Sequence, residues 1–145
     1  MYTYEYPRPA LTVDCAIFCT SKSKTFVLLI ERANEPFKNK WAFPGGFVDM
    51  DEDIEPAAYR ELKEETGFEN VTLSQFKTYG AVHRDPRGRT VSVVYLGQIE
   101  SNELPLVKGD DDALKAQWLD VENLPELAFD HDDIMKDLKK KLGLA

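Results

Sequence analysis

The stretch AAYRELKEETGF, residues 57–68, decides how the rest of the chain is read. It sets Glu61, Glu64 and Glu65 beside Arg60 and stops at Gly67. Apolar residues recur at helical spacing, and glycine is a natural C-terminal stop, so a helix is expected over 54–66. Pro56 falls in the first turn, where its missing N–H is tolerated. At about 100° per residue, with Glu61 at zero, Glu64 lies at roughly −60° and Glu65 at roughly +40°. Ile54, Ala57, Ala58 and Leu62 fall on the same side, and Lys63 points the other way. A merely solvated acidic face would lie opposite the apolar stripe. Three carboxylates drawn inward repel one another and lose water, which is costly unless cations answer them. Arg60 can answer one. A divalent ion can answer the rest, and hard oxygen donors of this kind suit Mg²⁺ or Mn²⁺. An ion-pair cluster in an inert domain is the competing reading.

A calcium loop is a different metal reading, and it fails. DMDEDIEPAAYR, residues 49–60, has acids at its first, third and fifth positions. Its sixth position is Ile54, where glycine is needed, and its twelfth is Arg60, where a bidentate glutamate is needed.

The remaining composition sets bounds. The chain has 145 residues, enough for one domain over 1–145 with a sizeable core. Its net charge of −8 argues against a general grip on nucleic acid. The run Lys139, Lys140, Lys141 sits near the end of an expected terminal helix, where cations suit the helix dipole. Cys15 and Cys19 would share a strand face too far apart to bond directly, so both are expected as reduced core residues. MYTYEYPRPA has no basic segment followed by an apolar one, and FVLLI is too short to span a bilayer. A cytoplasmic protein with no membrane partner is expected.

Along the chain, Tyr2, Tyr4 and Tyr6 alternate with polar residues, which suits an edge strand. ALTVDCAIFC and TFVLLIER read as strands joined by a polar turn. KWAFPGGFVD is a third extended piece broken at Pro44, Gly45 and Gly46. NVTLSQFKTYGAV and TVSVVYLGQI read as strands around the turn HRDPRGR, and LKAQWLDV as a short strand. NLPELAFDHDDIMKDLKKKL closes the chain with one or two helices. A mixed sheet packed between helices is expected, an α/β sandwich.

The wider segment GFVDMDEDIEPAAYRELKEETGF, residues 46–68, resembles the Nudix box. Gly46, Glu52, Arg60, Glu61, Leu62, Glu64, Glu65, Gly67 and Phe68 fill every fixed place of that motif. The resemblance implies a Nudix-type α/β/α sandwich with a mixed sheet and a Mg²⁺-dependent hydrolase, with Mn²⁺ as an alternative ion. It implies Glu64 and Glu65 as the main metal ligands, Glu61 as a ligand or an aid to water activation, and the Gly45 carbonyl as a further ligand. Glu52 would pair with Arg60. The segments YPRPALTVDCAIF, HRDPRGRTVSVVYL and LAFDHDDIM look like those of small ADP-ribose pyrophosphatases. This implies a small nucleotide substrate, hydrolysis of ADP-ribose to AMP and ribose 5-phosphate, and a homodimer as often found in the family. Alternatives are another nucleoside diphosphate derivative, such as an oxidised dNTP, NADH or a dinucleotide, or a non-catalytic ADP-ribose-binding regulator. Such regulators tend to carry degraded boxes, and this box is intact.

Other candidates are weaker. Arg32, at the end of a strand, and Arg84, Arg87 and Arg89, around the Asp85-Pro86 turn, could hold substrate phosphate. A solvated turn explains the last three equally. His83 reads as a strand-end residue. Trp41 and Phe43 read as core, with base stacking second. Asp111 and Asp112, with Glu103 nearby, could supply an extra acid to the site.

Overall fold

The computed structural model describes residues 1–109 and 113–145. Asp111 and Asp112 lie outside the described residues. The described part forms strands β1 (Ala10–Ser21), β2 (Lys24–Arg32), β3 (Trp41–Ala42), β4 (Gly45–Phe47), β5 (Ser74–Tyr79), β6 (Thr90–Glu100) and β7 (Ala113–Asp120). Its helices are α1 (Ile54–Thr66) and α2 (His131–Leu142). Helix α1 ends where its sequence stops it. Gly67 takes a left-handed φ of 72° and returns its N–H to the Lys63 carbonyl.

The sheet is built around β1 and is mixed. β1 runs parallel to β6 along its whole length, from Ala10↔Thr90 to Thr20↔Glu100. Its other edge is shared between two antiparallel partners. Thr12–Asp14 pair with β4, and Phe18–Ser21 pair with the start of β2. β2 then leaves β1 and pairs with β3 through Ile30↔Ala42 and Glu31↔Trp41. The sheet therefore forks, with β1 and β4 on one arm and β2 and β3 on the other. The Cys15 N–H extends the β1–β4 pairing to the Pro44 carbonyl at 2.7 Å. β7 covers the far edge of β2, and β5 the far edge of β6.

Alternation along the strands divides the core in two. Val13, Cys15, Ile17, Leu28 and Ile30 face Ala57, Ala58 and Leu62 of α1. Ala16, Phe18, Val27 and Leu29 face Ile134, Met135 and Leu138 of α2. A strand covered by a helix on each face buries a continuous apolar run, and Val27, Leu28 and Leu29 are fully buried. The layers are helix, sheet, helix. Both cysteines are free and buried. Burial raises the Cys15 thiol well above its ordinary range.

One expectation is corrected and another is narrowed. The tyrosine segment is not a strand, because regular pairing begins only at Ala10. Pro7 and Pro9 offer no N–H to a ladder, and Tyr2 and Tyr6 stay exposed. Of the one or two closing helices expected, one forms among the described residues, and those before His131 make turns, bends and a bridge from Trp41 to Leu127. No helix among the described residues is long and apolar enough to cross a membrane.

Leu62 is fully buried on α1 and joins helix to sheet. Leu62→Ala should lower unfolding stability by about 2–5 kcal/mol, read as a lower denaturant midpoint. A loss below about 1 kcal/mol would mean that this helix is not packed as described.

Candidate active site

Arg60 is the hub of the loop that enters α1. Its Nε donates to Glu52 at 2.6 Å and its Nη2 to the other Glu52 oxygen at 2.8 Å. Its Nη1 reaches Glu61 at 2.8 Å and Glu64 at 3.1 Å. Nη2 also reaches the Phe47 carbonyl at 3.2 Å. Glu52 is pinned from its other side by the Asp49 N–H at 3.1 Å. One planar fork thus joins the end of β4, the loop and the helix.

The glycine pair is required by close approach. A Cβ on Gly46 would stand 2.5 Å from the Glu61 carboxylate, and one on Gly45 would stand 2.1 Å from the Val13 carbonyl oxygen. The Gly45 N–H donates to Glu65 at 2.7 Å. β4 therefore rests on the Glu61 and Glu65 carboxylates of α1 and, at Gly45, against the backbone of β1.

The carboxylates differ in setting. Glu65 is buried and Glu61 nearly so, while the Glu64 side chain is 42% exposed. Two of the three face inward, and Glu64 lies at the rim. Burial raises the Glu61 carboxyl above its usual range, against the pull of Arg60. Glu52 is held down at about 2, chiefly by its hydrogen bonds from Arg60. The one guanidinium meets Glu52, Glu61 and Glu64, with Asp49 at 3.8 Å. Negative charge is in excess. The donor set is hard oxygen and suits Mg²⁺ or Mn²⁺ in kind. As the side chains lie, no three His, Cys, Asp or Glu among the described residues are gathered closely enough to hold an ion. Arg60 takes oxygens of Glu61 and Glu64, and Gly45 takes one of Glu65. A cation entering here competes with those donors.

Beside this cluster, in the fork of the sheet, lies a cavity of about 60 Å³. β1 supplies Thr12 and Asp14, β2 supplies Ile30 and Arg32, and β4 supplies Gly45, Gly46 and Phe47. Glu65 forms part of its wall, as do Arg84, Asp85 and Arg87 from the turn before β6. Arg84 is held by Asp130 through bonds of 2.9 and 2.7 Å. Arg32 Nε donates to the Pro36 carbonyl at 2.8 Å. Arg89 does not line the cavity, and its guanidinium turns to the Gly80 carbonyl at 3.2 Å. His83 is exposed outside it. Glu103 is likewise outside it. Phe43 is buried in the core with Trp41 packed against the same cluster.

Three features of the cavity were not anticipated. Asp14 is buried in the middle of β1 and accepts a short hydrogen bond from Ser92. His131 Nδ1 accepts the Phe43 N–H at 3.1 Å, which leaves the proton of the neutral ring on Nε2, 3.8 Å from Asp14. Burial lowers the His131 pKa, so the ring is neutral at ordinary pH. Phe129 and Phe47 line the cavity together with Phe43. A lone acid inside the apolar run LTVDCAIF was the signal for Asp14. Nothing in the sequence marked Phe129 beyond its place in LAFDHDD.

Comparisons place these features among known proteins. A family model described as the NUDIX domain matches residues 8–138. An ADP-ribose pyrophosphatase of Methanocaldococcus jannaschii is 45% identical over 91% of this chain and 74% of its own length. The ADPR-responsive transcriptional repressor NtrR of Acinetobacter baylyi is 37% identical over 96% of this chain, which spans 56% of that protein. The NUDIX domain of Shewanella oneidensis NrtR, solved in complex with ADP ribose, superposes with a TM-score of 0.85 at 31% identity, over 94% of this chain and 90% of that one.

The Glu52–Arg60 pair generates a pH dependence. Because the folded Glu52 carboxyl sits at about 2 and its ordinary value is 4.5, the unfolded chain binds the extra proton between these limits. The stability contributed by Glu52 is therefore present above about pH 4.5 and lost as pH falls toward 2. Glu52→Gln should be less stable than wild type at pH 7, and the gap should close across that window in acid melts. A gap independent of pH would contradict the pairing.

Proposed function

The chain belongs to the NUDIX domain family of hydrolases, and from that premise we propose that it hydrolyses ADP-ribose to AMP and ribose 5-phosphate. Likeness to the archaeal ADP-ribose pyrophosphatase along nearly the whole chain carries this reading. In the reaction a water oxygen bonds to one phosphorus of the pyrophosphate, the bridging P–O bond breaks, and the water protons pass to the products and a base.

Glu64 and Glu65 would hold Mg²⁺, or Mn²⁺ in its place, with Glu61 and the Gly45 carbonyl as further donors. A divalent ion at that place supplies charge neutralisation of the pyrophosphate and makes water more acidic. The chain's own part is positional. Arg60 ties Glu61 to Glu64, and the Gly45 N–H holds Glu65. Glu61, half sequestered and with a raised pKa, is suited to receive a proton. Arg32 and Arg84 bring positive charge to the cavity wall, where it would stabilise phosphate oxygens. The rim position of Glu64 leaves it open to an entering ion.

A second reading, an ADP-ribose-binding regulator without turnover, is favoured by the likeness to the Acinetobacter repressor. It needs no Mg²⁺-dependent cleavage. The exposed carboxylate at Glu64 and the fully filled motif favour an enzyme.

Incubation with Mg²⁺ and, separately, ADP-ribose, NADH, a diadenosine polyphosphate and oxidised dGTP tests the proposal. AMP from ADP-ribose is the expected product by chromatography. Faster turnover of oxidised dGTP would replace the substrate assignment, and binding of ADP-ribose without turnover would favour the regulator. Glu64→Gln and Glu65→Gln should each lower the rate by about 100-fold or more, with an unchanged circular dichroism spectrum. A chelator should stop turnover and leave the thermal midpoint nearly unchanged.

A further inference from the structure

Asp14 puts a carboxylate into an apolar strand. It lies two residues before Ala16, on the face of β1 that packs toward α2. The residue is 8% exposed, and burying such a group is costly unless donors answer it. A carboxylate has room for about four hydrogen bonds. Among the described residues, the Ser92 hydroxyl is the one hydrogen-bond donor that reaches Asp14, and it takes Oδ2. The other oxygen, Oδ1, lies beside Gly45, 2.6 Å from where a Cβ on that glycine would stand.

His131 is placed alike, with the opposite polarity. Its Nδ1 accepts the Phe43 N–H, so its proton is on Nε2. That N–H is 3.8 Å from Asp14 Oδ2, too far for a hydrogen bond. The His131 side chain is 4% exposed, and both residues line the crevice in the fork. No buried side-chain polar atom among the described residues is sealed off without a partner. Asp14 Oδ1 and the His131 Nε2–H therefore open onto that crevice. A hydrogen-bond acceptor and a donor stand side by side on its wall.

Such a pair selects one kind of group. A phosphate oxygen only accepts, and it would meet Asp14 charge against charge. An ammonium only donates and leaves His131 unanswered. A hydroxyl does both, giving its proton to Asp14 and accepting from His131. Size agrees with this. The crevice holds about 60 Å³, room for a few water-sized groups. The edge of a nucleobase also offers a donor and an acceptor, but its ring needs more room. Arg32 and Arg84 bring positive charge to the same crevice. In a nucleoside diphosphate derivative, the hydroxyl-bearing group bonded to the phosphates is a ribose.

We propose that Asp14 and His131 together hold a vicinal hydroxyl of a substrate ribose, and that the pair makes the site prefer ribose to deoxyribose. Ser92 is then a positioning residue, which fixes one Asp14 oxygen so that the other faces the crevice. The inference rests on the nucleotide-hydrolase reading given above. It adds a demand on the sugar that the acid cluster on α1 does not impose.

Calorimetric titration of the Mg²⁺-containing protein with matched ligands tests this. The pairs are AMP against 2′-deoxy-AMP and 3′-deoxy-AMP, and ribose 5-phosphate against its 2-deoxy and 3-deoxy forms. In at least one pair the wild type should bind the ribo form about 10- to 100-fold tighter, as expected for a hydrogen bond to a charged group. Asp14→Asn keeps the shape and can still accept from Ser92, and it should bring both members of that pair within about 3-fold. Removal of a negative charge alone would tighten both members together, so their ratio isolates the hydroxyl. The wild-type comparison needs no variant and decides the matter if Asp14→Asn misfolds. The inference is overturned if the wild type binds ribo and deoxy forms alike in every pair, which would leave Asp14 and His131 holding water only. It is overturned equally if Asp14→Asn keeps the wild-type ratio, or if none of these ligands binds at millimolar concentration. A ribo preference that Asp14→Asn erases, in a protein that releases no AMP from ADP-ribose, would keep the hydroxyl site and remove the hydrolase assignment. Release of AMP with equal binding in every pair would do the reverse.

Discussion

The geometry of the site depends on one guanidinium. Arg60 gathers Glu52, Glu61, Glu64 and the Phe47 carbonyl around a single planar group. Without it, the loop between β4 and α1 has no anchor on the helix, and Glu61 and Glu64 lose their common reference. The arrangement leaves negative charge in excess, which is tolerable at a partly open rim and would be costly in a sealed interior. Stability and chemistry pull in opposite directions on the same residues. Glu52 gains from being ionised beside Arg60, whereas burial makes ionised Glu61 unfavourable.

The fork of the sheet explains why the cavity lies where it does. β1 exchanges one antiparallel partner for another along the same edge, so β2 and β4 must diverge. Crevices at such changes of strand order are common ligand sites in α/β sheets. Here the crevice opens beside Gly45 and Glu65, which brings the acid cluster to one side. The segment before α2 closes the other side. Asp130 clamps Arg84, His131 caps the Phe43 N–H, and Phe129 presents its ring. The short phrase LAFDHDD thus builds a wall, and its residues act on different neighbours.

Much of this was legible because it is periodic or local. Helix α1 was readable to its ends from the apolar spacing, Pro56 and Gly67. β1, β2 and β6 were readable from their β-branched and aromatic runs. What depended on long-range packing was not. The helical wheel placed all three glutamates inward, but angular position alone does not fix burial, and the Glu64 side chain stays partly exposed. Alternation in the tyrosine segment suggested a strand, yet alternation supplies no partner edge and prolines withheld the N–H groups. The aromatic surface at the cavity comes from Phe43, Phe47 and Phe129, and Phe129 is far from the other two in the chain. Pairing between Asp14, Ser92 and His131 draws on three separate elements and has no local signature.

The two arms of the fork carry different kinds of constraint. Around Gly45 and Gly46, backbone touches backbone and carboxylate, so almost any added atom disrupts the contact. The opposing wall draws on side chains of the connecting segment 83–89 and of residues 127–131 at the entry to α2. A change of side chain on that wall can therefore alter the shape of the crevice, whereas a change at Gly45 or Gly46 forces backbone or carboxylate to shift.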